Sequence, residues 1–253
     1  MNIRAFFWHN LSAMTASRNA GASVPLVPLP ARAGRSRPHR ILLFLLALGI
    51  SLAGPAQAQT VVSFTLDFPG SEPSHYEIAV SSNGHSTYDS DGKLSPDSDN
   101  DPFHLDFSVS SETSRRIFEL AERAHYFQGD IDSRKKNLAS TGVKTLTYKD
   151  STRSSRATYN YSPVVAVQQL TQLFQGLSTT LEFGRRLEYY HRYQKLALDE
   201  ELKSMEDVAN RNDLQELAAV VPILQRIAND QSVINPVRAR ALRLIERAGP
   251  PKP

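Results

Sequence analysis

Between Val61 and Tyr161 apolar residues recur at every second position in short runs separated by turn residues, the period of a strand with one buried face. Val62, Phe64, Leu66 and Phe68 share one side of a strand predicted over 61–68, which Pro69-Gly70 ends. A second strand over 76–80 is closed by Asn83-Gly84, a pair that favours a tight hairpin turn, and 85–88 returns as a third. Residues 89–101 are almost free of apolar side chains and predict an exposed loop. In 103–109 the alternation resumes, with Phe103, Leu105, Phe107 and Val109 inward and His104, Asp106 and Ser108 on the opposite face. The period then becomes helical over 112–127, where Ile117, Leu120, Ala121 and Ala124 form one stripe and Gly129 is the expected terminator. Residues 143–148 and 156–161 predict a hairpin across Asp150-Ser151-Thr152. Ser162 and Pro163 suit the cap and first position of a following helix, whose buried side is Val164, Val167, Leu170 and Phe174. This order predicts an α+β fold over 59–182, an antiparallel sheet covered on one face by two helices.

Beyond Gly176 the strand signals vanish and the pattern reads as helix to Ala248. Gly176 and Gly184 each cost a helix roughly 1 kcal/mol relative to Ala, which puts the boundary of a second, helical segment, 183–248, near Phe183, with a short tail at 249–253. Leu187, Tyr190, Leu198, Leu202 and Met205 make its amphipathic stripe, interrupted at Asn210-Arg211-Asn212. From Leu214 to Ala248 the chain resembles a single HEAT-type helical hairpin: Pro222-Ile223-Leu224 in a first helix, Asp230 in the turn, Val237-Arg238, Ala241 and Leu244-Ile245 in the second. The resemblance implies that Pro222 is a kinking proline and that the segment offers a docking surface to a protein partner. The hairpin core is expected to be Leu217, Val221, Leu224, Val237, Ala241 and Leu244, packed on Leu187, Tyr190 and Leu198. The N-terminal part is similar in element order to uncharacterised bacterial secreted α+β domains, which assign no chemistry.

The apolar run 41–52 is shorter than the ~20 residues of a spanning helix. It follows an Arg-rich leader without acids and precedes Gly54-Pro55 and Ala56-Gln57-Ala58, so 1–58 reads as a secretory signal peptide cleaved after Ala58. Removing its six arginines from 29 Lys+Arg leaves 23 against 26 Asp+Glu, a net charge of about −3 in place of +3. No basic stripe for nucleic acid survives, and no membrane span is expected in the mature chain. The localisation this implies is periplasmic or extracellular. With no cysteine, the sequence excludes disulfides, thiolate zinc sites, cysteine nucleophiles and iron–sulfur clusters.

Three constellations carry potential chemistry. His104 and Asp106 project from one strand face and suit a base–orienter pair or two metal ligands, with a further group to come from His75 or His85. Asp89, Asp91, Asp97, Asp99 and Asp101 supply hard oxygens for Ca²⁺, yet Pro102 and Ser108 stand where an EF-hand loop needs Gly and a bidentate Glu. Tyr189-Tyr190-His191-Arg192-Tyr193, preceded by Arg185 and Arg186, suits either an anionic or carbohydrate ligand or, more commonly, a packed interface. G-x-S-x-G, HExxH and phosphate-loop motifs are absent. The sequence therefore commits no residue to catalysis, cofactor or metal. It favours a non-catalytic binding or assembly protein, with an enzyme using His104 and Asp106 and a calcium-stabilised module as alternatives.

Overall fold

The computed structural model of the chain describes residues 59–95 and 97–249, so the signal peptide expected over 1–58 and residues 250–253 lie outside the described residues. Six antiparallel strands, β1 (Val61–Asp67), β2 (His75–Ser81), β3 (His85–Ser90), β4 (Phe103–Ser108), β5 (Val143–Lys149) and β6 (Ser154–Tyr159), form one sheet in the order β4-β3-β2-β1-β5-β6. The register opposes Phe64 to Ile78 on one side and to Leu146 on the other, so the alternating apolar positions of neighbouring strands fall on one face. That face is covered by α1 (Ser111–Arg123) and the first half of α2 (Val165–Tyr193). Phe64 stacks on Phe174 with ring centroids 5.4 Å apart. Gly84 supplies the positive φ that the β2–β3 turn requires. The α+β architecture follows the sequence pattern, and no described helix is long and apolar enough to cross a membrane.

Element ends differ from the pattern where side chains elsewhere decide. The first helix stops at Arg123 rather than reaching Phe127, because His125, Tyr126 and Phe127 all take positive φ in a left-handed turn. That turn buries Phe127 at 1% exposure and lays Tyr126 against Tyr148, ring centroids 4.7 Å apart. Ser162 does not cap α2. Its Oγ accepts from Val164 N–H at 3.2 Å, and the helix begins at Val165 with no side-chain cap.

The 29-residue α2 runs unbroken past Gly176 and Gly184, through the boundary expected at Phe183. A Cβ on Gly176 would lie 2.6 Å from Gln215 Cγ, and one on Gly184 would lie 2.5 Å from Val220 Cγ1. The glycines mark a close approach of the 213–220 segment rather than a break. The segment is helical to Ala248 as expected, with a break at Gln194 (φ −145) that the pattern does not show, followed by α3 (Leu198–Asn210), α4 (Val221–Asn229) and α5 (Asn235–Ala248). Buried residues divide into two clusters, one ending at Leu181 and one starting at Phe183; the second gathers Leu187, Tyr190, Leu198, Leu202, Met205, Leu224, Val237, Ala241 and Leu244. Leu217 and Val221, expected in the hairpin core, are only half-buried, and Ile223 and Ile227 fill it instead. Pro222 occupies the first turn of α4, where its missing N–H leaves no helical bond unmade.

Candidate functional site

The α2 stripe that packs under the sheet is apolar through Leu170 and Phe174 and then turns polar at Ser178, Glu182 and Arg185. These groups meet β3 where Tyr88 and Ser90 point inward. Glu182, 3% exposed, accepts through Oε1 from Tyr88 OH (2.8 Å) and Ser90 Oγ (2.6 Å), and Tyr88 OH also lies 3.0 Å from Ser178 Oγ. Arg185, 6% exposed, donates through Nη2 to Asp101 O (2.6 Å) and Asp101 Oδ2 (3.1 Å), and its guanidinium lies 4.8 Å from the centroid of the Phe103 ring. Burial, reinforced by the Glu182 charge, pushes the Tyr88 hydroxyl far above its ordinary 10.0; burial does the same to Tyr76. Burying two charges costs several kcal/mol per ion unless each finds partners. Arg185 finds them. Glu182 Oε2 has none within hydrogen-bonding geometry, its nearest cation being Arg185 Nη1 at 3.6 Å.

Beside this network opens a cleft of about 370 Å³, lined by Ser71, Glu72, Tyr76, Ser178, Glu182 and Arg186 among others. Glu72, on the exposed β1–β2 connection, accepts from Lys93 N–H at 2.5 Å. A Cβ on Gly92 would lie 3.0 Å from Glu182 Oε2, 3.0 Å from Glu72 Oε1 and 3.3 Å from Arg185 Nη1, so two carboxylates and a guanidinium converge where Gly92 has no side chain.

The constellations singled out in the sequence fare differently. His104 and Asp106 do share the uncovered sheet face, with Nε2 to Oδ2 at 3.6 Å, and His85 stands 3.9 Å from Asp106. The closest partner of His104 is Asp89 on the next strand, 2.7 Å away, whose hydrogen bond and charge raise the imidazole above its ordinary 6.5. His75 is elsewhere, 2.6 Å from Asp67. All four members of the His104 ladder are more than half exposed. The loop aspartates do not converge, since Asp89 holds His104, Asp91 accepts from Ser74 Oγ and His75 N–H, and Asp101 holds Arg185. Among the described residues no group of three or more His, Asp or Glu is placed to hold a metal ion. The tyrosine run also divides: Tyr190 enters the helical core, Tyr189 lies between Tyr190 and Tyr193 (5.7 and 5.3 Å), Arg186 bonds Glu201 at 2.7 Å, and Tyr193 stands 61% exposed.

Glu182, Tyr88, Ser90, Ser178 and Glu72 escaped the sequence reading. The first signal was available, because Phe174, Ser178 and Glu182 recur every four residues on one helix face and Arg185 continues it. No protein-family profile matches this chain, and no curated protein matches it.

Proposed function

We propose that the protein is an exported, non-catalytic binding and assembly protein, docking through the end of its helical unit where α2 turns toward α3 and α4 toward α5. The observation that carries this reading is an ordered end bearing apolar side chains that no core uses: Leu196 at 93%, Tyr193 at 61% and Ile234 at 58% exposure. Asp230 fastens the two turns together. It accepts from Lys195 Nζ (2.6 Å), from Ser232 N–H (2.9 Å) and from Ser232 Oγ (2.7 Å), and His191 Nε2 lies 3.0 Å away. These contacts, Lys195 first, hold its carboxyl well below the ordinary 3.8. A cluster of apolar groups on a fixed turn suits a partner's surface better than solvent. Arg192, its guanidinium 5.2 Å from the Tyr193 ring, favours an acidic rim on that partner. The HEAT-type resemblance and the leader's signal pattern support docking and export.

The test is a double substitution, Leu196→Asp with Ile234→Asp, in the exported protein. Both positions are exposed, so the melting temperature is expected to stay the same while cross-linked capture of the partner falls away. Capture that persists unchanged in the variant rejects this end as the docking surface. Intact-mass analysis of the exported chain is expected to show Gln59 as its first residue, and retention of Met1–Ala58 rejects cleavage.

A further inference from the structure

Glu182 is a carboxylate that the fold holds rigidly and leaves incompletely satisfied. Tyr88 and Ser90 fix Oε1, while Oε2, with no accessible surface to speak of and no hydrogen-bond donor, is the second acceptor of the same buried group. A buried acceptor without a donor costs free energy comparable to a lost hydrogen bond, more for an ion. Arg185 offsets part of the charge but supplies no hydrogen bond to Oε2, because its Nη1 stands 3.6 Å away and reaches Ser90 Oγ at 3.5 Å while its Nη2 is committed to Asp101. The adjoining cleft is lined by a second carboxylate, Glu72, whose Oε1, like Glu182 Oε2, would stand 3.0 Å from a Cβ on Gly92 at its edge. The cationic member of the cleft lining, Arg186, is neutralised by Glu201 at 2.7 Å. The local balance is therefore negative. The rest of the lining is apolar on one side, with Leu66, Tyr76, Phe183 and Val208.

The geometry points to a binding site for a small primary alkylammonium ion in this cleft, its N–H donors on Glu182 Oε2 and Glu72 and its stem against Leu66, Tyr76, Phe183 and Val208. Glu72 is exposed, and admitting the ammonium requires its side chain to move from the hydrogen bond that Lys93 N–H donates to it. An ammonium supplies both things Oε2 lacks, a donor and a full counter-charge, and a short aliphatic stem fits the apolar wall. A neutral alcohol would supply only the donor, and a carboxylate would bring a third negative charge to Glu72 and Glu182. This site stands apart from the apolar end of the helical unit and does not depend on docking there.

The probe is n-butylamine, titrated into the uniformly ¹⁵N-labelled protein near neutral pH, with n-butanol and n-butyrate as stems of the same length without the charge or with the opposite one. Butylamine is expected to shift the amides of Gly92, Ser178 and Glu182 saturably, and the alcohol and acid are expected not to. Glu182→Gln should weaken the amine about tenfold or more. Should that buried substitution unfold the chain, Glu72→Gln at an exposed position carries the test, with about threefold weakening expected. The proposal is overturned if butylamine causes no saturable shifts, if butanol or butyrate binds as well, or if a folded Glu182→Gln or Glu72→Gln variant retains full affinity for the amine.

Discussion

At the scale of single residues, Gly184 and the buried tyrosines show how context reverses an intrinsic preference. Alanine in place of glycine in an open helix gains up to about 1 kcal/mol. At Gly184 the added Cβ would meet Val220 Cγ1 at 2.5 Å, and a β-branched neighbour in a core has little room to turn away. Gly184→Ala should therefore destabilise the protein by about 1–3 kcal/mol in urea melts, and adding Val220→Ala should return part of the loss. Tyr76, Tyr88 and Tyr159 have hydroxyls that burial pushes well above their ordinary 10.0. A group whose pKa is raised on folding stabilises the native state below the unfolded value, and that stability is lost as pH rises above it. Alkaline unfolding should therefore begin near pH 10, with these three tyrosines ionising only as the chain opens, as tyrosinate absorbance would record. Lys144, lowered by burial, works in the opposite direction, its contribution rising with pH toward its unfolded 10.5. One lysine against three tyrosines leaves the alkaline loss dominant.

At the scale of elements, the strands were legible because each turns one buried or half-buried face toward the core, so alternation alone reveals both their existence and which face turns inward. Lys144 shows the limit of that signal. It occupies an inward position of β5, 4% exposed, and is tolerated because Thr141 O, Thr141 Oγ1 and Asn160 O accept from its Nζ at 2.8 to 3.0 Å, partners that only tertiary contact supplies. Helix ends were less legible. The left-handed turn at His125–Phe127 sits in a conformation that costs non-glycine residues roughly 1–2 kcal/mol each, and what offsets it, Phe127 in the core and Tyr126 against Tyr148 and Arg153, lies outside the local sequence. The candidate cleft was invisible for a related reason. Glu182 and Arg185 follow a glycine-bearing stretch that reads as a boundary, whereas the glycines exist so that α2 can touch the 213–220 segment. In the helical unit the pattern was sufficient for the main contacts, and Leu224, fully buried between α4 and its neighbours, makes the measurable case. Leu224→Ala should cost about 2–5 kcal/mol by chemical denaturation, the range for a truncated core leucine.

At the scale of the whole molecule, two hydrophobic clusters share one helix. Leu170, Phe174 and Leu177 of α2 belong to the sheet core, Leu187 and Tyr190 to the helical core, and no break in the helix separates them. Polar ties cross the same junction: Ser110 Oγ donates to Glu216 Oε1 at 2.6 Å, and Gln215 N–H donates to Thr180 Oγ1 at 3.1 Å. Fraying α2 from one end would strip the second core of one of its walls, so opening either half should expose apolar surface in both. The expectation is one cooperative unit rather than two. Native-state hydrogen exchange in low urea tests it at residue level. Amides of β1, the middle of α2 and α4 should converge on a single opening free energy with the same urea dependence. Leu224→Ala should lower the protection of the Phe64 and Ile227 amides by the same amount, although the two residues lie in different clusters. If α4 and α5 instead exchange through a smaller opening while β1 and Phe174 keep their protection, the helical unit is an independent foldon, and α2 links two stabilities instead of joining them into one.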